Sequence, residues 1–435
     1  SPPRTRIQAA RRAAYLLYSG GKYYESSSIL EDAVSLMPSV NLRLLQRDDQ
    51  QHILSELSGL ASAAASMALQ AGRKAYHSLK LLELGRGIII GFAIDSRSEH
   101  ASASYLDMTD SCSPPPQDAL MEIARNGPII IFNSTSYRSD ATIVTTSAIT
   151  SLELPKLNYE KAIEWMEKLA NFGKGPGGLL KRAQDNKKMR DLLLWLWDAA
   201  VGPVLDHLEC SGAIISGGVQ GGDPKHIWWV GVGQLSMAPF HAAGDHSRGS
   251  TRNTISRAIS SYIPTIKALT YARQVELRLL DESGPSFSAE PSRKEKPLGR
   301  QNPRLLLIPM PKTPGEASLP GVDREVQYIH DSTSKTPVET TVLSNPTPAK
   351  VLRQIQHHDI VHFACHGVSD TNPSDSHLLL LTPDGKGADK LLARDISNIV
   401  AQNAQLAYLS ACSSAKNSSV ILADEVIHLA SAFQL

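Results

Sequence analysis

The sequence predicts a fold in two parts, a helical N-terminal region followed by an α/β sandwich whose sheet is mostly parallel. Two observations support this division. Small and apolar residues recur at helical spacing through residues 1–95. Beyond residue 118, short apolar runs suited to buried strands alternate with longer helical patterns. Alternation of this kind is typical of a helix-covered, largely parallel sheet.

The N-terminal region, residues 1–95, is expected to contain two helical pairs. In the first pair, small residues follow one helical face, Gly20 and Gly21 interrupt the pattern, and Pro38 closes the second helix. A second pair is expected between Gln50 and Ile94, with its turn at Gly72. The pattern resembles a tetratricopeptide (TPR) unit, whose period is about 34 residues. A plain helical bundle is the alternative, because one clear unit and one loose unit are weak grounds for a repeat.

Two polar segments divide the rest of the chain. Residues 96–118, rich in Ser, Asp and Pro, are expected to be a linker. Residues 281–303 contain almost no apolar residues to bury and are expected to form a mobile loop. This loop separates an N-terminal α/β part, residues 119–280, from a core over residues 304–435. The predicted strands are 128–133, 141–145, 227–232, 304–308, 359–364, 378–381 and 405–409, and the predicted helices include 158–170, 189–200 and 254–280.

The composition excludes several classes of protein. The 44 basic and 43 acidic residues leave a net charge of +1, which argues against a nucleic-acid-binding protein. Four cysteines in 435 residues, with no CxxC pair, do not form a disulfide framework, so a reducing, cytoplasmic location is expected. The N-terminus lacks the apolar core of a signal peptide. The longest apolar run, residues 88–94, is far below the ~20 residues of a membrane span. We therefore expect neither a nucleic acid nor a membrane as partner.

The most informative stretch is DIVHFACHG, residues 359–367. On a strand, Val361, Phe363 and Cys365 would share one face, and the strand should end near His366. A second apolar run, QLAYLSAC, ends at Cys412. Active sites of open α/β sheets form at the carboxyl ends of strands. If the two strands are neighbours, His366 and Cys412 would meet at that edge.

These residue types suit nucleophilic catalysis by a thiol. An imidazole accepts the thiol proton and makes the sulfur a nucleophile near neutral pH. Gly367 leaves its backbone N–H unobstructed, so this group and the N–H of Cys412 could together stabilise an oxyanion. His366 precedes Cys412 by 46 residues, close to the ~50 residues of caspases, in which the His also comes first.

Several segments resemble a CHAT domain, a branch of the caspase-like cysteine peptidases related to separase. They are IWWVGVGQLSMAPFHAA (227–243), LPGVDREV (319–326), HFACHG (362–367), LSAC (409–412) and LADEVIHLASAFQ (422–434). The resemblance covers about residues 120–435. It implies a caspase-like α/β sandwich with His366 as general base and Cys412 as nucleophile. TPR-type helical repeats commonly precede such domains, especially in fungal versions.

The resemblance implies a cysteine endopeptidase without a cofactor that is regulated through its TPR-like region. This region is expected to bind a regulatory protein, a substrate protein or both. The alternative is a catalytically inactive scaffold that keeps the fold. In the family the chain continues past the last of these helices into another strand and helices that shape the substrate pocket. We therefore expect the final domain to be incomplete at Leu435.

Neighbouring residues have plainer explanations. His362 lies within the strand and is expected to be a hydrogen-bonded structural residue, and Cys365 is expected in the core. His358, His362 and His366 would share one strand face, which raises the possibility of zinc. Successive members would stand ~13 Å apart on a strand, too far for one ion, so no metal site is expected.

Overall fold

The computed structural model shows two compact units, Ser1–Thr270 and Tyr271–Ser419 with Ile427–Leu435. The residues it describes are 2–40, 53–88, 91, 94, 115–172, 179–212, 225–282, 302–370, 372–398, 404–412 and 429–433. Within these ranges no helix is both long enough and apolar enough to cross a membrane. Most of the predicted loop 281–303 and of the predicted linker 96–118 lies outside the described residues. At their described ends the predictions are wrong, because residues 281–282 belong to a helix that ends at Glu282 and a helix already begins at Gln117.

The first unit begins with two helical hairpins, as the glycine turns predict. Their helices are α1 (Pro3–Ser19), α2 (Tyr23–Ser35), α3 (Leu60–Gln70) and α4 (Ala75–Leu84). Gly21 and Gly72 both have positive φ, 74° and 78°, and each ends the helix before it. In both turns the glycine N–H and the next residue's N–H donate back to the helix, which is a Schellman cap.

The two hairpins also share their internal packing. The hydroxyl of Ser26, the fourth residue of α2, donates to the carbonyl oxygen of Ala14 at 2.8 Å. The hydroxyl of Ser78, the fourth residue of α4, donates to that of Ala65 at 3.0 Å. Both serines are buried, so small residues let the helices of each pair approach closely. Within the second helix of each hairpin and the lysine before it, positions 22, 24, 26, 30 and 31 recur 52 residues later with the same residue types, Lys, Tyr, Ser, Leu and Glu. The hairpins are therefore internally repeated, at a spacing longer than the ~34 residues of a TPR array.

A five-stranded mixed sheet completes the first unit. The strands are β1 (Ile129–Ser134), β2 (Ser139–Val144), β3 (Ile149–Glu153), β4 (Lys225–Gly231) and β5 (Ala258–Tyr262). Their order in the sheet is β3-β2-β1-β4-β5. The pairs β1–β2 and β2–β3 are antiparallel, and the pairs β1–β4 and β4–β5 are parallel. The accompanying helices are α5 (Gln117–Ile123), α6 (Tyr159–Asn171), α7 (Leu179–Leu196) and α8 (Gly202–Cys210).

Buried polar contacts join the hairpins to this sheet. Asn133 of β1 accepts a hydrogen bond from the hydroxyl of Ser62 at 2.7 Å and donates to that of Ser66 at 3.0 Å, both on α3. One face of the sheet shares a core with the hairpins, whereas Phe132 and Trp229 pack into a second core on the other face. The hairpins and the sheet are therefore one folded unit.

The prediction of a helix over residues 254–280 is wrong at its beginning. Residues 258–262 form β5, and helix α9 (Ile266–Glu282) starts only afterwards. Pro264 explains the boundary, because a residue before proline is disfavoured in the helical region and proline has no N–H to donate. The hydroxyl of Thr265 then accepts from the N–H of Ala268 and caps the new helix.

The second unit is built on a four-stranded parallel sheet. Its strands are β6 (Arg304–Pro309), β7 (Glu339–Val342), β8 (Ile360–Ala364) and β12 (Leu406–Ser410). Their order in the sheet is β12-β8-β6-β7. The helices of this unit are α10 (Val322–Thr333), α11 (Pro348–Ile355), α12 (Ala393–Ser397) and α13 (Leu429–Phe433). The parallel sheet predicted for this region is confirmed, and β7 is an addition to it.

One predicted strand belongs to a different sheet. Residues 378–381 fall in β10 (His377–Leu381), which is antiparallel to both β9 (Gly367–Val368) and β11 (Ala388–Leu392). The reason is the length of its connections. Only residues 382–387 separate β10 from β11, whereas a parallel pair needs a crossover of a dozen or more residues.

Candidate active site

The two strands that carry the predicted dyad lie side by side. β8 and β12 pair in parallel, and the register places Ser410 opposite Ala364. His366 and Cys412 each follow this pair by two residues, so they stand at corresponding positions just beyond the carboxyl ends of the two strands. The sequence prediction that these strands are neighbours is confirmed.

The apolar residues of β8 fix which way its other side chains point. Val361, Phe363 and Cys365 are buried in the core of the second unit, each at most 2% exposed. The alternation of a strand then sends His362 to the opposite face, towards α10. Both predictions, that Cys365 is a core residue and that His362 is hydrogen-bonded, are confirmed.

A backbone carbonyl orients the imidazole of His366. The segment after β6, residues 310–321, lies at the same edge of the sheet, because Pro309 pairs with Ala364. The Nε2–H of His366 donates to the carbonyl oxygen of Ala317 at 2.7 Å. Because a carbonyl only accepts, this bond places a proton on Nε2 and, in the neutral ring, leaves the lone pair on Nδ1.

Gly367 allows a close approach between the two segments. A Cβ at this position would lie 2.3 Å from the carbonyl oxygen of Cys412 and 3.3 Å from the Cβ of Ala411. No side chain fits there, so glycine is required by the space. Gly367 is thus in direct contact with the backbone of residues 411–412.

The pairing of β9 with β10 sets the direction of the Gly367 N–H. The N–H of Leu379 donates to the carbonyl oxygen of His366 at 2.9 Å, so these two residues form a hydrogen-bonded pair. The next pair, Gly367 with Leu378, is then a non-hydrogen-bonded pair. In such a pair the peptide N–H points away from the partner strand, so the N–H of Gly367 points away from β10.

The cysteines differ sharply in environment. Cys412 and Cys210 are exposed free thiols, whereas Cys365 is buried. Burial raises the pKa of the Cys365 thiol to about 12, because the charged thiolate is poorly solvated there. Cys365 is therefore protonated near neutral pH and is no nucleophile. Cys112 lies outside the described residues.

Three residues on the α10 side of the sheet form a cluster that sequence reasoning missed in part. One carboxylate oxygen of Glu325 accepts from the Nε2–H of His362 at 2.9 Å, and the other accepts from the hydroxyl of Ser410 at 3.1 Å. The His362 ring stacks on Tyr408 with centroids 4.8 Å apart. Glu325, His362 and Tyr408 border a groove of about 640 Å³ between α10 and the sheet. Glu325 stands 85 residues before Ser410 in the sequence, and no spacing signal connects them.

The three histidines considered for zinc bind separate partners. His358 donates to the carbonyl oxygen of Gln354, His362 to Glu325 and His366 to Ala317. In the part of the chain that the structure describes, no group of three or more His, Cys, Asp or Glu side chains is arranged to hold a metal ion.

At this edge of the sheet, two parallel strands are followed by a histidine and a cysteine, and a glycine contacts the backbone of the cysteine. This arrangement defines a candidate site for a cysteine nucleophile. The family model of the CHAT domain matches residues 190–435, more than half of the chain. The chain therefore belongs to the CHAT domain family, which is related to the caspase-like cysteine peptidases. The matched residues include His366, Gly367 and Cys412. A comparison with curated proteins finds no significant match.

Proposed function

We propose that this protein is a CHAT-type cysteine endopeptidase in which His366 and Cys412 form the catalytic dyad. The observation that carries the proposal is the contact of Gly367, the residue after His366, with residues 411–412 at the carboxyl ends of two paired parallel strands. Membership of the CHAT family supports the same reaction class. Peptide-bond hydrolysis by this route needs no cofactor.

The hydrogen bond of His366 to Ala317 supports one division of roles between the two ring nitrogens. Nε2–H is held by the Ala317 carbonyl, so Nδ1 accepts the proton from the Cys412 thiol. The sulfur attacks the peptide carbonyl carbon, and the N–H groups of Gly367 and Cys412 donate to the resulting oxyanion. The imidazolium then protonates the leaving amine, which leaves a thioester on Cys412. A water molecule, deprotonated by His366, hydrolyses the thioester and restores the thiol.

The helical hairpins are proposed to be a TPR-like binding region for a regulatory or substrate protein in the cytoplasm. Tyr15, Leu16 and Tyr24, at the turn end of the first hairpin, are 60%, 71% and 59% exposed. Exposed large apolar side chains of this kind offer a surface that a partner protein could cover. The repeated hairpin turns and Ser–carbonyl contacts support a repeat architecture for this region.

A thiol-directed acyloxymethyl-ketone probe tests the proposed peptidase. The full chain should be labelled at Cys412, and both Cys412→Ala and His366→Ala should abolish the labelling. Cys210→Ala is the matched control, because Cys210 is also an exposed thiol, and it should be labelled like the unchanged chain. Labelling that survives Cys412→Ala would refute the proposal. Failure of a broad probe panel to label the unchanged, folded chain would favour the inactive scaffold instead.

A further inference from the structure

The side chain of Glu325 accepts hydrogen bonds from both strands of the proposed dyad. It lies on α10, and its two carboxylate oxygens accept from different strands, Oε1 from His362 on β8 and Oε2 from Ser410 on β12. These residues stand four positions before His366 and two positions before Cys412. At about 3.3 Å per residue, they lie ~13 and ~7 Å from the dyad residues along their strands. Glu325 therefore touches neither reacting group.

β12 has few other contacts on this face. Among the described residues it is the edge strand of its sheet and pairs with β8 alone. Leu406 and Tyr408 are 56% and 57% exposed, so few other residues cover the amino-terminal part of β12 on this face. Tyr408 stacks on His362 of the neighbouring strand. The hydrogen bond from Ser410 to Glu325 joins the end of β12 to α10 on this side.

Both hydrogen bonds are suited to fixing position. A carboxylate accepts strongly from an imidazole N–H and a hydroxyl, and charge-assisted bonds of this kind are shorter and stronger than neutral ones. The His362 side chain is 9% exposed and that of Glu325 30%, so water competes only weakly at the histidine. The carboxylate thereby fixes the position of β8 relative to β12 close to the carboxyl ends of both strands.

We propose that Glu325 is a positioning residue that holds the ends of β8 and β12 in the relative position that His366 and Cys412 need for proton transfer. The inference rests on the proposed peptidase function. Nucleophilic reactions are sensitive to such placement, since a shift of 1 Å can cost about 100-fold in rate.

Two variants separate this role from a general effect on folding. Glu325→Gln keeps one oxygen acceptor but turns an amide N–H group towards the second donor. Ser410→Ala removes only the bond to β12 and leaves the His362 bond in place. Asp323→Asn is the matched control, because Asp323 is an exposed carboxylate on the same helix. Melting temperatures establish that each variant is folded.

The first readout is the inactivation of the full chain by the acyloxymethyl-ketone probe, separated into a maximal rate and an apparent binding constant. Glu325→Gln should lower the maximal rate at least tenfold and Ser410→Ala at least threefold. The binding constant should stay within twofold of the unchanged chain, and Asp323→Asn should behave like that chain. If Glu325→Gln does not fold, Ser410→Ala decides the question. An unchanged maximal rate in a folded Ser410→Ala variant would overturn the inference.

The second readout is the pH dependence of Cys412 alkylation by iodoacetamide. An ordinary thiol is only about 1% ionised at pH 6.5, so rapid alkylation at that pH reports a paired histidine. We expect the ratio of the rate at pH 6.5 to the rate at pH 9 to fall in His366→Ala, Glu325→Gln and Ser410→Ala. If His366→Ala does not change the ratio, the proposed dyad itself fails. If His366→Ala changes it and the other two variants do not, the dyad stands and Glu325 has no positioning role.

Discussion

Gly367→Ala gives a prediction whose size follows from the geometry. The added Cβ would lie 2.3 Å from the carbonyl oxygen of Cys412, and ordinary van der Waals contact begins near 3.4 Å. The two segments must therefore separate by about 1 Å, and the obstructing atom is backbone, which has no rotamer to change. A displacement of ~1 Å at a reacting group costs ~100-fold in rate. Crowding of this kind also costs about 1–3 kcal/mol in stability.

The assay is the rate of Cys412 labelling by the acyloxymethyl-ketone probe, together with the melting temperature. Gly367→Ala should lower the labelling rate by about 100-fold while the chain remains folded. Gly321→Ala is the control, because no atom lies within 4 Å of a Cβ placed there. Labelling of Gly367→Ala at the rate of the unchanged chain would refute the placement of Gly367 against Cys412.

The other predictions concern the thiols, a buried ion pair and alkaline stability. At pH 8, iodoacetamide should alkylate Cys412 but not Cys365, because Cys365 is 2% exposed and its pKa is raised to about 12; peptide mass spectrometry checks this, and alkylated Cys365 in the folded chain would contradict it. Arg86→Met should lower the free energy of unfolding by about 3–5 kcal/mol, measured by denaturant titration, because it removes the buried guanidinium beside Glu83, whose pKa burial already raises, and the hydrogen bonds of that guanidinium to the carbonyl oxygens of Gly231 and Pro264; a loss below 1 kcal/mol would contradict this. Burial raises the pKa of Tyr262 above its usual value near 10, so the unfolded chain ionises first and the free energy of unfolding should fall as the pH rises above about 10. Tyr262→Phe should flatten that decline, and an unchanged slope would show that another group causes it.

Much of the fold could be predicted because local patterns determine it. The glycines at 20, 21 and 72 end helices whatever surrounds them, and both hairpins form where the sequence places them. The apolar run of β6, and that of β8 with only His362 interrupting it, mark strands that are buried on both faces. β5 was missed because its Ser260–Ser261 centre is polar and a strong helical pattern follows directly after Pro264. Its pairing with β4 is a tertiary contact that no local pattern specifies.

The same distinction applies to the candidate site. His366, Gly367 and Cys412 could be predicted as site residues because histidine, glycine and cysteine have specific catalytic or conformational roles and each lies at the end of a predicted strand. The partner of the His366 ring is a backbone carbonyl, that of Ala317, and a backbone atom leaves no trace in the sequence. Glu325 has an ordinary surface-helix pattern around it, and only the pairing of β8 with β12 brings its two donors together.

The most direct test of the dyad compares two cysteines within one chain. Cys412 and Cys210 are both exposed free thiols, so exposure alone predicts similar reactivity. Iodoacetamide at pH 6.5, followed by peptide mass spectrometry, gives both alkylation rates in a single sample. If His366 activates the Cys412 thiol, Cys412 should react at least tenfold faster than Cys210, and His366→Ala should bring the two rates together. Equal rates in the unchanged chain, or a ratio that His366→Ala leaves as it was, would contradict the proposed dyad.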